Sequence, residues 1–253
     1  MHSKSEHIAV FDSGVGGISV LRELIKQMPE EHYLYFGDSA NAPYGDRTTQ
    51  QVRVLTLQAV EELVKRGVKA LVVACNTATS AAIHILREIY PDLIVVGIEP
   101  ALKVAADRFP GGRIGVMATQ VTLREEKFAH QAERFPQMQI NLIPAPGLVE
   151  LIEAGHTEGQ QVETLLRQIL GPYVGKLDAL VLGCTHYPFV GNAIRRILGP
   201  ETVLLDGGEG TARQTRRCLE AAGLRNEGPG SVQIENSTGS GALVARSMEL
   251  LNR

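Results

Sequence analysis

Two stretches of this chain are versions of one pattern, an apolar run that ends in cysteine followed by small polar residues. They are Leu71-Val72-Val73-Ala74-Cys75-Asn76-Thr77 and Leu180-Val181-Leu182-Gly183-Cys184-Thr185-His186, so Cys184 stands 109 residues after Cys75. Similarity at a fixed period means that one structural unit has been used twice. The rest of the chain follows at nearly the same spacing: Asp12 pairs with Thr119 and Glu99 with Asp206, each 107 residues apart.

The repeating unit is an α/β unit. Short β-branched runs that end in Gly, Asp, Thr or Pro alternate with segments of helical period, the pattern of a mainly parallel sheet with crossover helices. Eight strands are expected: Ile8 to Phe11, Tyr33 to Gly37, Ala70 to Ala74, Ile94 to Ile98, Arg113 to Met117, Gln139 to Pro144, Ala179 to Gly183 and Thr202 to Leu205. Between the early ones, Ile18, Leu21, Leu24, Ile25 and Met28 share one helical face, as do Val52, Leu55, Ala59 and Leu63. Later helices are expected over Ala81 to Ile89, Leu123 to Arg134, Gln160 to Val174, Gly191 to Leu198, Gly210 to Ala221 and Ala242 to Leu251.

The expected fold is therefore α/β with two pseudo-symmetric lobes, each a mainly parallel four-stranded sheet flanked by helices. The first lobe would comprise residues 1–97 plus 207–253 and carry Asp12 and Cys75; the second would comprise 98–206 and carry Cys184 and His186. Open α/β sheets bind ligands beyond the carboxyl ends of their strands, so the active site is expected in the cleft between the lobes, with both cysteines pointing into it.

Composition removes several alternatives. The 253 residues carry a net charge of −3 and no basic run longer than Arg195-Arg196 or Arg216-Arg217, which gives no footprint for a nucleic-acid backbone. The polar stretch Met1 to His7 and the brief apolar run Ile8 to Phe11 do not form a signal peptide or a membrane span, so a cytoplasmic protein without a membrane partner is expected. Three cysteines, none in a Cys-x-x-Cys pair, make no disulfide framework and are read as free thiols. Asn236-Ser237-Thr238 matches a glycosylation acceptor that has no use without secretion.

Two thiols at matching strand ends point to one kind of chemistry. Inverting an α-carbon needs a base on one face and an acid on the other, and two thiols can exchange those roles with the hand of the substrate. An ordinary thiol, with a pKa of about 8.5, must then be tuned by hydrogen-bond donors and carboxylates. Asp12 follows the first strand in Phe11-Asp12-Ser13-Gly14-Val15-Gly16-Gly17, whose glycines allow a tight turn and expose amides to an anion. The spacing is not that of a dinucleotide site. Asp12 could position or accept a proton from one thiol, and His186, two residues after Cys184, could serve the other or orient the substrate.

The turn-rich block Asp38-Ser39-Ala40-Asn41-Ala42-Pro43-Tyr44-Gly45 is suited to a loop over the cleft, and Asn76, Thr77, Thr119, Thr122 and Thr185 add neutral donors. Together they suit a ligand with an ammonium and two carboxylates. No lysine stands in a context for a pyridoxal aldimine and no cluster has metal-ligand spacing, so no cofactor and no metal are expected.

With those residues assembled, the chain resembles the glutamate racemases of the aspartate/glutamate racemase superfamily over essentially its full length. The resemblance rests on Phe11 to Gly17, Gly37-Asp38 through Pro43-Tyr44-Gly45, Ala74-Cys75-Asn76-Thr77-Ala78 and Leu182-Gly183-Cys184-Thr185-His186-Tyr187-Pro188, in that order. It implies that Cys75 and Cys184 are the acid/base pair, assisted by Asp12, Glu153 and His186. Substrate contacts would come from Asp12, Ser13, Pro43, Tyr44, Gly45, Asn76, Thr77, Thr119, Thr122, Thr185 and His186. It further implies a bacterial enzyme supplying D-glutamate for peptidoglycan, with glutamate as its small-molecule partner, and it leaves room for a homodimer. The chain departs from the family at Gln120-Val121, where relatives often carry glycine before the second threonine, and at Gly207-Gly208. Relatives that respond to a cell-wall precursor nucleotide carry a longer N-terminal arm; with seven residues before the first strand, no such activation is expected here.

Several residues have plainer readings. Cys218 sits at helical period and is read as structural. Asp12 and Asp38 could cap turns, and Glu153, at a polar helix end, would by itself be a solvated carboxylate. An enzyme acting on aspartate, a hydantoin or a maleate-like diacid would keep the cysteine pair. A non-catalytic two-lobed binding protein would keep the repeat but would not need two thiols.

Overall fold

The computed structural model describes residues 2–99, 101–124 and 133–252. The chain divides into two compact units, one formed by Met1–Glu99 with Gly208–Arg253 and the other by Pro100–Gly207.

The first unit is built on a five-stranded parallel sheet. Its strands are β1 (His7–Asp12), β2 (His32–Gly37), β3 (Val68–Val73), β4 (Ile94–Gly97) and β9 (Ser231–Asn236), in the order β4-β3-β1-β2-β9. The second unit has a four-stranded parallel sheet of β5 (Arg113–Ala118), β6 (Gln139–Pro144), β7 (Ala179–Leu182) and β8 (Val203–Asp206), in the order β6-β5-β7-β8. All eight expected strands are present. The central ones, β1, β3, β5 and β7, are almost wholly buried because helices cover both faces of a parallel sheet, which is why the middle of each reads as an apolar run, Lys69 in β3 excepted.

The first sheet corrects the expectation of four strands. The fifth, β9, pairs with β2 from His32↔Ser231 to Gly37↔Asn236. It reads Ser-Val-Gln-Ile-Glu-Asn and is exposed over its first half, so as an edge strand it lacks the apolar signature of its neighbours.

Replacing β1, β2, β3 and β4 by β5, β6, β7 and β8 converts one strand order into the other, so the sequence repeat is a topological repeat. The ladder also corrects its alignment. Phe11 pairs with Val73, and Met117 pairs with Leu182. Likewise the Ala74 N–H donates to the Phe11 carbonyl and the Gly183 N–H to the Met117 carbonyl, each at 2.8 Å. Met117 is thus the counterpart of Phe11, which makes Thr119 the counterpart of Ser13 rather than of Asp12. At the other end Gly97 opposes Val73 and Asp206 opposes Leu182, so Asp206 corresponds to Gly97, not to Glu99.

Helices close the faces. Ile18–Gln27 buries Ile18, Leu21 and Leu24 as expected, whereas Thr49–Lys65, which opens with a Thr48/Gln51 capping box, buries Val52 and Leu63 but turns Thr56 and Val60 inward and leaves Leu55 and Ala59 partly buried. The helix expected from Ala81 begins earlier, at Asn76, because Cys75 caps it. That expected over Gln160 to Val174 ends at Leu170 and passes into a 3-10 turn at Gly171–Tyr173, where Pro172 has no N–H with which to continue the helical ladder. Gly191–Leu198 forms as expected, Gly208–Ala221 begins two residues early and Gly241–Leu251 one. Leu102–Arg108 is helical without having been anticipated. Of the helix expected over Leu123 to Arg134, residues 125–132 lie outside those described. Among the described residues no helix is long and apolar enough to cross a membrane.

Candidate active site

In the first unit the predicted residues gather at the carboxyl ends of β1, β2 and β3. Asp12, the last residue of β1, is fully buried, and its Oδ1 accepts the Gly14 N–H at 3.0 Å. The loop it opens passes very close to its neighbours. A Cβ on Gly17 would stand 2.6 Å from the Asp12 Cβ, and one on Gly37 would stand 2.5 Å from the Gly14 carbonyl oxygen. Glycine is required at both places by space alone. The Tyr35 hydroxyl fixes the same carbonyl, donating to Gly14 O at 2.6 Å.

Cys75 caps the helix Asn76–Ile89. Its Sγ accepts the Ala78 N–H at 3.4 Å and lies 3.5 Å from Ser13 Oγ. A sulfur at the N-terminus of a fourteen-residue helix faces amides that favour negative charge. Asn76 and Thr77 are buried beside it, and Asn76 Oδ1 has no hydrogen-bond partner among the described residues.

The loop after β2 is folded on itself. Asp38 Oδ2 accepts the Tyr44 hydroxyl at 2.6 Å and the Asn41 amide at 3.0 Å, and its N–H donates to Asp12 O at 2.8 Å. Arg47 Nε donates to Asn41 O at 2.9 Å. Burial, then the bond to Asp38, pushes the Tyr44 phenol far above its ordinary value, and the charges of Cys75 and Asp12 act in the same sense. Tyr44 is therefore a neutral donor at any working pH, and Pro43 and Gly45 flank it at partly exposed positions. Asp38, which could have been a turn cap and no more, ties the whole turn together. Tyr35 was not singled out at all, although a tyrosine within an apolar strand must find a partner for its hydroxyl.

In the second unit Cys184 and Thr185 follow β7, and His186 precedes a 3-10 turn over Tyr187–Val190. Cys184 Sγ is 3.6 Å from His186 Nδ1, and His186 Nε2 is 2.6 Å from Glu153 Oε1, the last residue of the helix Leu148–Glu153. Burial pulls the His186 pKa down, but the hydrogen bonds and charges of Cys184 and Glu153 outweigh it, and the imidazole ends well above 6.5. Thiol, imidazole and carboxylate thus form a line along which a proton can pass to or from Sγ. Thr119 Oγ1 and Thr122 Oγ1 are 3.1 Å apart where β5 ends. Among the described residues no group of three or more His, Cys, Asp or Glu is placed to hold a metal ion.

The two thiols therefore occupy equivalent places in the two sheets with different surroundings, a serine hydroxyl and a helix terminus in one, an imidazole–carboxylate pair in the other. Comparison with known proteins identifies this framework. The sequence pattern of the Asp/Glu/Hydantoin racemases matches residues 10–215. The chain belongs to that family. Within it, a glutamate racemase of Clostridium perfringens is 46% identical over 252 residues, covering 98% of this chain and 97% of that protein. The crystal structure of glutamate racemase from Thermus thermophilus in complex with beta-chloro-D-alanine has a TM-score of 0.84 at 36% identity, covering 99% of this chain and 94% of that one. That of the Francisella tularensis glutamate racemase in complex with D-glutamate has a TM-score of 0.85 at 27% identity, covering 99% and 95%. The family resemblance read from the sequence is thereby established, and with it the fold class.

Proposed function

We propose that this protein is a cofactor-independent glutamate racemase in which Cys75 and Cys184 exchange the α-proton. The observation that carries the reading is the thiol at the end of the third strand of each repeat, each beside a group able to manage a proton. Relatives that share nearly the full chain and are named glutamate racemases support the substrate.

In the forward direction one thiolate takes the α-proton, the C–H electron pair delocalises into the α-carboxylate, and the opposite thiol returns a proton to the other face. The reverse reaction uses the same two groups with roles exchanged. That chemistry requires both sulfurs to reach one α-carbon. Around Cys184, His186 and Glu153 relay the proton. Around Cys75, Asp12 and Ser13 hold the thiol and the loop amides.

The amides after Asp12, with Ser13, Asn76, Thr77, Thr119, Thr122, Thr185 and the Pro43-Tyr44-Gly45 turn, bind the carboxylates and the ammonium, and Asn76 Oδ1 suits the ammonium. The role is supply of D-glutamate for peptidoglycan in the cytoplasm. Circular dichroism of purified protein with L-glutamate, D-glutamate and L-aspartate tests the proposal. Both glutamate signals should decay to zero while aspartate stays unchanged; inert glutamate with decaying aspartate would overturn the substrate.

A further inference from the structure

We propose that Ser237 is a positioning residue for the glutamate-binding loop, acting from the end of the edge strand β9 of the first unit. This rests on the racemase reading, because it concerns the loop that carries Pro43, Tyr44 and Gly45. Its basis is the asymmetry between the repeats. In the four-stranded sheet no strand lies outside β6 among the described residues, whereas β9 lies outside its counterpart β2.

The register carries β9 one step past the end of β2. Gly37 opposes Asn236, and the Ser237 N–H then donates to Gly37 O at 3.0 Å. That places Ser237 Oγ where it accepts the Ala40 N–H at 2.9 Å. Ala40 lies between Asp38, which holds Tyr44, and Asn41, which holds Arg47. The loop is tied to β1 through the Asp38 N–H on Asp12 O and to β9 through Ala40 on Ser237.

A brace must itself be rigid, and the next turn supplies that. Asn236 Oδ1 accepts from the Thr238 N–H at 3.1 Å and the Ser240 N–H at 3.2 Å, and the Thr238 hydroxyl also donates to it. Asn236 Nδ2 donates to Ser240 O at 3.0 Å, and Ser240 caps the final helix. Asn236-Ser237-Thr238, a glycosylation pattern in sequence, is in the structure a side-chain-bonded turn whose serine holds the neighbouring loop. Polar residues rather than apolar ones end β9 because the brace consists of hydrogen bonds to backbone.

A loop that contacts substrate in ground and transition states alike affects binding more than chemistry. The test uses the full-length protein with Ser237→Ala and Ser237→Thr, reading amide exchange at Ala40, the melting temperature, and KM and kcat for glutamate. In Ser237→Ala the Ala40 amide should exchange about fivefold faster and KM should rise by a similar factor, the worth of one hydrogen bond. Its kcat should stay within about twofold, its melting temperature should fall by no more than about 2–4 °C, and Ser237→Thr, which keeps the hydroxyl, should restore both exchange and KM. Unchanged Ala40 exchange in Ser237→Ala overturns the brace, and faster exchange with unchanged KM overturns its role in binding. Wild-type protein that is inert toward glutamate overturns the racemase reading and with it the KM effect, while the exchange measurement still reports on the brace.

Discussion

Cys184 meets an imidazole and Cys75 meets a hydroxyl, so the two sulfurs lose different things when their surroundings change. Replacing either by serine removes a thiol whose acidity the reaction needs, and Cys75→Ser and Cys184→Ser should each lower kcat by at least about 100-fold. Cys218→Ser should leave it unchanged, since that sulfur lies on the helix Gly208–Ala221, where it accepts from the Gln214 side chain. Glu153→Gln is more selective. The wild-type imidazole is held well above 6.5 against its burial by Cys184 and Glu153, so removing the carboxylate's charge should lower its pKa and shift the matching limb of the kcat/KM profile to lower pH. Stability follows the same sign. A folded-state pKa raised above the unfolded value contributes stability that is complete below about 6.5 and is lost as pH rises through the folded value. Denaturant melts should therefore show Glu153→Gln losing most at low pH and converging on wild type at high pH. A gap that widens with pH would contradict this assignment.

At the scale of elements, the first unit depends on close approach at one end of its sheet and on a buried charge pair at the other. Gly37→Ala drives a methyl into the Gly14 carbonyl and should cost about 1–3 kcal/mol in urea unfolding. Lys69 and Glu31 are both fully buried with Nζ and Oε2 2.6 Å apart; Lys69 also donates to Leu224 O, and Glu31 accepts from Arg225 and the Asn226 N–H. The pair ties the segment before β9 to the sheet. Lys69→Met leaves the buried Glu31 Oε2 without its cation, Arg225 reaching only Oε1, and should cost about 3 kcal/mol, part of which the double change Lys69→Met with Glu31→Leu should recover. Equal losses in the single and double variants would show that packing, not charge, holds that segment. The same elements show what the sequence carried. Strands buried on both faces announce themselves by composition, as Ala70 to Val73 does, whereas Lys69 hid the first two residues of that strand. The start of Asn76–Ile89 was hidden because Asn-Thr-Ala-Thr-Ser reads as a turn until the preceding cysteine is seen to cap it. The strand Ser231–Asn236 was hidden because its edge position leaves half of it exposed.

Across the whole molecule, the duplication set the plan, and its departures from symmetry bear on the site. The cysteine pair was legible because both copies kept it at the same strand end. Thr119 was aligned with Asp12 because sequence spacing does not reveal that the first strand of the second copy is one residue out of step; only the ladder does. Glu153 was visible only through family resemblance, since its partner His186 is 33 residues away and nothing local marks the bond. If one glutamate engages both units, alkylation of Cys75 and Cys184 should be suppressed with the same half-saturating glutamate concentration; protection of one thiol alone would mean that the units bind separately. The central claim is that one thiol removes the α-proton and the other returns a different one. The direct measurement is racemisation of L-glutamate in deuterated water, followed by circular dichroism and by α-proton content in each enantiomer during the first turnovers. The account predicts that the D-glutamate formed carries deuterium at the α-carbon while the remaining L-glutamate is still protiated. D-glutamate that keeps the original proton, or L-glutamate that exchanges without inverting, would contradict it.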